Sequence, residues 1–415
     1  MALTKEEVTA QNGAISVSPA EIEIGLLTGC QDRPYAFGLA MALASQGVCL
    51  DVIGSDEVDS PEMHSTARLN FLNLRGNQRQ DLNPAEKLSR LLIYYLRLTR
   101  YAMRVKPRIL HILWNNKFEF FDRTVVMLYY KMMGKKITLT VHNVNQARRD
   151  SNDSKLNRLT LRIQYRLADH MFVHTEKMKS ELVEDFGVGE RAVTVIPFGI
   201  NNAVPHTDLT AAQAKRQLGI KETEKAILFF GRLRPYKGLE HLLAAYQRLI
   251  HRNSDYRLIV AGEPKKGSEK YRDEVLEVIR RIESPGPIIC KLQFIPDRDT
   301  ELYLKAADVL VLPYKEIFHS GVLFLAHSFG LPVVAADVGS FREEIIEGRT
   351  GFLCNPSDSV DLANAIERYF ESDLYKNLPD SRQEIQDYVS ERHSWSVVAE
   401  MTRNVYAELL RSSPL

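Results

Sequence analysis

The sequence predicts an α/β protein with two Rossmann-like domains. Short apolar runs alternate with longer amphipathic segments along almost all of the 415 residues, which is typical of parallel sheets covered by helices on both faces. A chain of this length is too long for one ordinary core. Pro, Asn and Thr interrupt the alternation at residues 199–213, near the middle of the chain. The boundary between the domains is therefore expected there.

Twelve apolar runs, rich in Val, Ile and Leu, predict the strands. The first domain contains IEIGLLT, VCLDVIG, LNFLNL, ILHILW, ITLTVH, MFVH and VTVIPF. The second domain contains AILFFG, RLIVAGE, IICKLQF, DVLVLP and PVVAAD. Helix-like stretches separate these runs, as parallel pairing requires. Because ligands of such sheets bind beyond the carboxyl ends of the strands, functional residues should directly follow the runs.

We place the first domain at residues 20–203 and the second at residues 204–394. The last segment, SWSVVAEMTRNVYAELL, has apolar residues at helical spacing and predicts an amphipathic helix at 395–412. This helix could cap either domain, including by packing back on the first one.

The overall charge gives no reason to expect a nucleic acid partner. The chain has 54 Lys and Arg against 53 Asp and Glu, a formal net charge of +1. The distribution is uneven, because residues 86–182 hold 20 Lys and Arg against 8 Asp and Glu. Leu and Tyr alternate with these cations, which is compatible with peripheral contact with a membrane or with a lipid-diphosphate acceptor. An ordinary packed helix with solvated cations fits the same pattern and is the commoner case.

The cysteines and the N-terminal segment favour a reducing compartment. The four cysteines are far apart and form no CxxC pair, so we expect reduced thiols at Cys30, Cys49, Cys290 and Cys354. The first residues lack the apolar core of a signal peptide, and no run reaches the ~18 apolar residues of a membrane span. We expect a cytoplasmic protein, with a position at the inner face of the membrane left open.

The sharpest motif is FFGRLRPYKGLEHLLAAY, residues 229–246. A buried strand would end at Gly231, and the following turn would present Arg232 and Lys237 beside exposed backbone N–H groups. Two fixed cations about one turn apart suit a diphosphate, because charge-assisted hydrogen bonds hold the anion and stabilise the charge that develops when it leaves. On spacing alone, a solvated basic loop fits equally well.

A family resemblance changes that balance. GRLRPYKG resembles the signature of the retaining, nucleotide-sugar-dependent glycosyltransferases of the GT-B fold, in which two Rossmann-like domains face each other across a cleft. Other segments similar to family motifs occur in the family's order. IPFGI precedes GRLRPYKG, and VAGEP, ADVLVLPY and GLPVVAADVGSFREEIIEGRTGFL follow it. The resemblance is strong over residues 213–370 and weaker in the first half. It implies the GT-B fold and a nucleotide diphosphate sugar as co-substrate.

The resemblance also implies site residues. Arg232 and Lys237 would bind the donor diphosphate, and His142, in TVHN, matches a family histidine that faces the transferring sugar. Considered alone, His142 fits an ordinary buried histidine. Gly29 would lie on the acceptor side. The implied donor-binding residues are Gly231, Gly262, Glu263, Phe294, Ile295, Glu316, Ser320, Gly321 and Val322.

The segment FHSGVLFLAHSFGLPVV departs from the family. The family commonly has two glutamates eight positions apart, and alignment on GLPVV places those positions at Ile317 and Leu325. The nearest acid is Glu316, one residue early. Ser320 and Gly321 still begin a helix whose backbone N–H groups suit a phosphate. The pattern resembles a variant found in bacterial polysaccharide glycosyltransferases, so we expect an active enzyme that holds its donor with more backbone and less carboxylate.

No metal and no further cofactor are expected. PDRDTE contains an Asp-x-Asp pattern, but Asp299 is predicted to N-cap the helix TELYLKAAD, with Asp297 favoured by the helix dipole.

The function predicted from these observations is retaining transfer of a hexose from a nucleotide diphosphate sugar to a glycan, a lipid-linked acceptor or a small molecule. Two alternatives remain at this point. A nucleotide-sugar epimerase of the same fold would need acid and base carboxylates, which the apolar Ile317 and Leu325 do not offer. A non-catalytic partner would bind nucleotide sugar without turning it over.

Overall fold

The computed structural model describes residues 22–78, 83–149, 152–200, 204–265, 267–282 and 288–412. In these ranges the strands form two parallel sheets, which confirms the predicted α/β architecture. The first sheet contains β1 (Glu23–Leu27), β2 (Cys49–Gly54), β3 (Leu69–Asn73), β4 (Ile109–Ile112), β5 (Lys136–Thr140), β6 (His170–Val173) and β7 (Val193–Val195). The second sheet contains β8 (Lys225–Phe230), β9 (Tyr256–Ala261), β10 (Ile289–Lys291), β11 (Val309–Leu312), β12 (Val333–Ala336) and β13 (Gly351–Cys354).

Each sheet has a switch point at its centre. The strand orders are β3-β2-β1-β4-β5-β6-β7 and β10-β9-β8-β11-β12-β13, and the paired strands are parallel. The direction in which strands are added reverses between β1 and β4 and between β8 and β11. Crevices open beyond the carboxyl ends of strands at such points. The loops that follow β1 and β8 are therefore in position to bind ligands.

Helices cover the faces of both sheets. They are α1 (Arg33–Ser45), α2 (Pro61–Ser65), α3 (Pro84–Arg104), α4 (Glu119–Phe121), α5 (Met127–Met132), α6 (Gln146–Arg149), α7 (Lys155–Leu167), α8 (Glu176–Phe186), α9 (Ala211–Gln217), α10 (Leu239–Arg252), α11 (Glu269–Arg281), α12 (Asp297–Ala306), α13 (Gly321–Ser328), α14 (Phe341–Glu344), α15 (Ser359–Glu371), α16 (Asp373–Lys376), α17 (Leu378–His393) and α18 (Trp395–Arg411). None of them, within the ranges given above, combines the length and hydropathy needed to cross a bilayer.

Two details differ from the sequence-based predictions. Each of the twelve apolar runs contains a strand, but β13 was not predicted, because its four residues follow a turn and carry little periodicity. The prediction that Asp299 caps α12 is wrong. The N-cap is Pro296, and Asp297 and Asp299 both lie in the first helical turn without a side-chain capping bond. Both carboxylates still favour the helix dipole there.

Two segments of the chain meet where the two sheets adjoin. Residues 196–200 follow β7, and residues 393–395 join α17 to α18. The Ile200 N–H donates to the His393 carbonyl at 3.2 Å, and the His393 ring contacts the Phe198 carbonyl at 3.1 Å. We call this pair the crossing segments. They carry the chain out of the first sheet and back to it, because α18 packs on α1.

Trp395 fixes the crossing segments to α1. Its indole N–H donates to the Ile200 carbonyl at 2.7 Å in a buried bond. A methyl group added at Gly38, in α1, would lie 2.1 Å from the indole, and one added at Gly199 would lie 2.5 Å from it. The indole thus fits between two backbones that approach it closely because they carry no side chain.

We expect Gly38→Ala to destabilise the protein, although alanine is the better helix former. Overpacking at a filled site costs roughly 1–3 kcal/mol, which exceeds the gain in helix propensity of about 1 kcal/mol. The measurement is the free energy of unfolding from urea titration. Gly189→Ala is the matched control, because a methyl group at that position meets nothing within 4 Å. Equal stability of the two variants would show that Trp395 can move aside.

Candidate active site

The turn after β8 positions Lys237 beneath the surface of the second domain. A short 3-10 turn, Pro235–Lys237, leads into Gly238, which has a φ of 66° and begins α10. A side chain at Gly238 would lie 2.1 Å from the Pro313 carbonyl oxygen, so the turn needs glycine. Lys237 is only 6% exposed, and its ammonium lies 5.4 Å from the centre of the Tyr314 ring.

The charge on Lys237 lacks a compensating carboxylate. Burial is the main reason why the pKa of this lysine is lowered to about 7, and the positive charges of Arg234 and Arg232 contribute to the same shift. The ion pairs formed among the described residues do not include Lys237. A buried cation is normally paired, because desolvation is costly. The site therefore favours an anion as its partner.

The start of α13 lines the same cavity as this lysine. A methyl group added at Gly231, whose φ is 98°, would lie 3.0 Å from the Lys237 ammonium and 3.3 Å from Val322. Ser320 is the N-cap of α13 and forms no side-chain capping bond, and Gly321 is its first residue. The amino end of a helix presents unpaired N–H groups and a partial positive charge. Lys237 and the amino end of α13 thus form one cationic corner, whose chemistry suits an anion.

A cavity of about 310 Å³ lies at this corner and extends to the first domain. The residues that line it include Tyr35, Phe198, Lys237, Ile317, His319, Ser320, Gly321, Val322 and Leu325. Ile317 and Leu325 are nearly buried, at 8% and 7% exposure, so the positions that hold glutamates in the family form an apolar wall here. Glu316 is exposed and is not part of the lining. Asp32 is the carboxylate among the lining residues, and its side chain accepts a hydrogen bond from the Tyr35 backbone N–H.

The remaining predicted donor residues lie along the adjacent strand ends. Arg232 is paired with Glu263 at 3.0 Å, and its side chain is 56% exposed. Gly262, with a φ of 146°, lies so close to Gly231 that an added methyl group would be 2.1 Å from the Gly231 carbonyl oxygen. Because β10, β9 and β8 are neighbours, the residues that follow them form a continuous edge.

Phe294 and Ile295 continue that edge after β10. Phe294 is 64% exposed, which is unusual for an aromatic side chain, and Ile295 is half-buried. Neither lines the cavity. An exposed ring at the end of a strand is suited to stacking on a planar base.

His142 and Gly29 occupy the opposing edge, in the first domain. His142 stacks on Trp114 with ring centres 4.2 Å apart and planes 4° apart. Gly29 has a φ of 59°, and a methyl group there would lie 2.5 Å from the Trp114 carbonyl oxygen. Burial, together with His174 and His319, holds the pKa of His142 well below the usual histidine value. The imidazole is therefore neutral.

Sequence analysis missed His174 and His319, which lie beside His142. The centres of the His142 and His174 rings are 5.2 Å apart, and those of His174 and His319 are 5.0 Å apart. A signal was present, because ITLTVH and MFVH both end in histidine and predict neighbouring strands whose carboxyl ends meet. No local signal links His319 to them, since it comes from the second domain.

Two family models match the chain. One, described as glycosyl transferases group 1, matches residues 211–391, and the other, glycosyltransferase family 4, matches residues 34–204. The D-inositol 3-phosphate glycosyltransferase of Corynebacterium diphtheriae is 29% identical over 279 residues, which cover 65% of this chain and 62% of that protein. Its counterpart from Geodermatophilus obscurus is 32% identical over 210 residues, covering 48% and 45%. The chain thus spans less than two thirds of the length of these curated relatives.

Solved structures share the fold at low sequence identity. Sucrose-phosphate synthase from Thermosynechococcus elongatus superposes with a TM-score of 0.74 at 19% identity, covering 94% of this chain and all of that one. Anabaena Alr3699/HepE in complex with UDP-glucose gives 0.70 at 18% identity, with the same coverage. These likenesses and the two facing sheets define a protein of the GT-B fold. Within that fold, the second domain matches the group 1 glycosyl transferases and the first domain matches glycosyltransferase family 4.

We expect Lys237→Met to raise the stability of the protein, because it removes a buried charge. Below about pH 7, the native lysine bears the full desolvation cost. Above that pH, the native chain has released a proton that the unfolded chain keeps up to its ordinary pKa, so wild-type stability rises with pH. The advantage of the methionine variant should therefore shrink between pH 7 and pH 9.

The measurement is the urea midpoint at pH 7, 8 and 9, with Lys270→Met as the control because the Lys270 side chain is 93% exposed. A Lys237→Met variant less stable than wild type at every pH would contradict the assignment of an uncompensated buried charge.

Proposed function

We propose that this protein transfers a hexosyl group from a nucleotide diphosphate sugar to an acceptor, with retention of anomeric configuration. The observation that carries the proposal is the buried cation of Lys237, without a carboxylate partner among the described residues, at the amino end of α13. Such a corner binds an anion and stabilises the charge that develops on a departing diphosphate. The match to the group 1 glycosyl transferases and the UDP-glucose complex of a protein with the same fold support a nucleotide sugar as the source of that diphosphate.

The proposed roles follow the positions of the residues. Lys237 and the N–H groups from Ser320 to Val322 would hold the phosphate nearest the sugar. Arg232 would leave Glu263 and bind the same diphosphate from the solvent side, which its exposure permits. This positive charge replaces a metal at the diphosphate, so transfer should need neither Mg²⁺ nor Mn²⁺.

The sugar would lie between Lys237 and the His142 edge of the first domain. His142 is neutral and would orient the sugar rather than attack it. In retaining members of this fold, the leaving phosphate is thought to take the acceptor proton on the same face, so no enzymic nucleophile is required. Asp32 is the lining carboxylate, and the family's two glutamate positions are apolar. Backbone groups would therefore recognise the ribose, and the base would be recognised by Gly262, Phe294 and Ile295.

A second surface bears on the acceptor. Large apolar side chains are exposed mainly between residues 88 and 159 of the described chain, where 14 of 17 occur. They lie on α3, the segment 118–133 and the start of α7, and are Leu88, Leu92, Ile93, Leu96, Met103, Phe118, Phe120, Phe121, Val125, Leu128, Met132, Met133, Leu156 and Leu159. We call this surface the apolar face. Monomeric soluble proteins rarely expose so many contiguous apolar side chains.

The elements of the apolar face adjoin one another. The rings of Tyr95, in α3, and Phe118 are stacked at 6.2 Å, and Phe121 contacts the same tyrosine. Exposed cations flank the apolar side chains on α3 and α7, namely Arg90, Arg97, Arg100, Arg104, Lys155, Arg158, Arg162 and Arg166. Apolar side chains beside cations suit the surface of an anionic bilayer. We propose that the first domain lies on such a membrane and that the acceptor is carried on a lipid.

We expect Lys237→Ala to lower kcat by ~10²-fold or more, as removal of an oxyanion donor does. Arg232→Ala should act in the same direction.

The donor class is found first by a thermal-shift panel of UDP-, GDP- and ADP-sugars without metal, since a ligand that binds the native state raises its stability. Lys270→Ala is the control. Near-normal turnover in Lys237→Ala would remove this lysine from the mechanism. Selective donor binding without turnover of any acceptor would favour a non-catalytic partner.

We expect Leu92→Glu combined with Leu96→Glu to weaken binding to vesicles of anionic phospholipid by roughly ten-fold or more, because two apolar side chains would no longer enter the bilayer. Co-sedimentation with vesicles measures this. Val360→Glu is the matched control, because Val360 is similarly exposed but lies on α15 of the second domain. Unchanged binding in the double variant would exclude α3 as the membrane contact.

A further inference from the structure

A second cavity, of about 160 Å³, opens beyond the carboxyl ends of β4 and β5 in the first domain. It is smaller than the roughly 300–1,000 Å³ of pockets that hold drug-sized ligands, so it has room for one small chemical unit. Five of its lining side chains are amides, namely Gln31, Asn115, Asn143, Gln146 and Gln164. We call this cavity the amide pocket.

Arg123 forms part of the wall of the amide pocket. It lies in a π-helical turn, Asp122–Val126, and its side chain is buried. Its guanidinium donates to the Asn157 side-chain oxygen at 2.8 Å and to the Glu119 carboxylate at 2.5 Å. Its Nε is also buried, but forms no hydrogen bond with the described residues. An unpaired N–H group in the interior is costly, so the pocket favours a ligand that offers an acceptor oxygen.

The protein holds several of the amides in place. The Gln164 side chain donates to the Asn115 side-chain oxygen at 2.9 Å, and the Gln31 side chain donates to the Asn115 backbone carbonyl at 3.2 Å. Gln164 shares one face of α7 with Leu161 and Tyr165, which also line the pocket. An amide side chain has two donors and an acceptor oxygen, whereas a hydroxyl group both donates and accepts. A ligand with several hydroxyl groups therefore matches this set of side chains.

The amide pocket carries no net charge on its lining residues. The charged side chains that line it, within the described ranges, are Glu119 and Arg123, and these two are paired with each other. His142 adds no charge, because burial holds its pKa well below the usual histidine value. In contrast to Lys237, the cation here already has a carboxylate partner, and that carboxylate would repel a phosphate. The pocket therefore favours an uncharged ligand over an anion.

The amide pocket adjoins both the place proposed for the transferring sugar and the apolar face. His142 lines the pocket, and its ring centre lies 4.8 Å from that of Tyr35, which lines the cavity at the cationic corner. Glu119 and Arg123 belong to the segment 118–133, whose exposed apolar side chains are part of the apolar face. A ligand in the pocket would thus lie beside the transferred sugar and close to the bilayer.

We propose that the amide pocket binds an uncharged polyhydroxylated ring, a sugar or a cyclitol, and that this ring is the unit of the acceptor that receives the hexose. The second part of this inference rests on the proposed function. One oxygen of the ring would accept from the Arg123 Nε, and other hydroxyl groups would pair with Gln146 and Gln164. A further hydroxyl group would face His142.

That last hydroxyl group is the nucleophile of the transfer. Its oxygen forms a bond to the anomeric carbon of the donor sugar while the bond from that carbon to the diphosphate oxygen breaks. Its proton passes to the departing diphosphate, whose charge Lys237 and the amino end of α13 stabilise. The lipid that carries the acceptor would extend from the pocket along the apolar face.

The test measures the binding of small probes to the full chain by saturation-transfer NMR. The uncharged probes are myo-inositol and the methyl glycosides of glucose, galactose, mannose and N-acetylglucosamine, and the charged probes are glucose 6-phosphate and mannose 6-phosphate. We expect at least one uncharged probe to bind at millimolar concentration, and the phosphates to bind no more tightly than their uncharged counterparts.

Two variants locate the bound probe. Arg123→Lys keeps a cation beside Glu119 but removes the Nε donor, and should weaken binding by roughly ten-fold or more. Gln146→Ala should weaken binding by roughly three-fold or more, because it removes an uncharged hydrogen-bonding group. Gln217→Ala is the matched control, because this exposed glutamine lies on α9 of the second domain.

Each outcome decides the inference. Absence of binding by every uncharged probe, unchanged binding in both pocket variants, or binding of a phosphate ten-fold more tightly than its uncharged counterpart would overturn it. If Arg123→Lys does not fold, Gln146→Ala alone decides, since Gln146 is exposed. A chain that is stabilised by a nucleotide sugar but binds no uncharged probe would overturn this inference alone. A chain that binds a probe in the pocket but binds no nucleotide sugar would overturn the proposed function and leave the ring site standing.

Discussion

The position of Trp395 between two glycine backbones governs the rest of the architecture. The indole occupies the space that side chains at Gly38 and Gly199 would fill, and it donates to the Ile200 carbonyl. This contact ties the point where the chain leaves the first sheet to the point where it returns. Every residue that faces the cavity from both domains, including Phe198 at the same crossing, takes its place relative to that joint. The cavity is lined from both domains, and the crossing segments join those domains.

In and around the cavity, some buried polar groups lack the partners that are usual in protein interiors. Lys237 is buried without a carboxylate partner among the described residues, and the Nε2 atoms of His142 and His174 are buried without a hydrogen bond in the same part of the chain. Another buried lysine, Lys215, is by contrast paired with Asp308 at 2.8 Å. Local violations of this kind are expected where a ligand completes the structure.

The cationic corner and most of the exposed apolar side chains lie on different domains. The second domain carries the cationic corner, and the first carries most of the exposed large apolar side chains of the described residues. The excess of positive charge in residues 86–182 lies in the same domain as these apolar side chains. A packed helix with solvated cations accounts for the charges but not for Leu92 or Leu96, which face outward. This difference is what favours a membrane over the commoner explanation for such a basic segment.

The sequence by itself determined the α/β class, the twelve strands that apolar runs mark, and the cationic turn from Arg232 to Lys237, because these depend on local periodicity and on motif spacing. It could not determine the cap of α12, where one backbone turn decides between Pro296 and Asp299. Only the tertiary structure decided that Lys237 is buried beside α13, and that His319 meets His142 and His174. Those contacts join residues far apart in the chain, and their distances depend on how two separate sheets are held at Trp395.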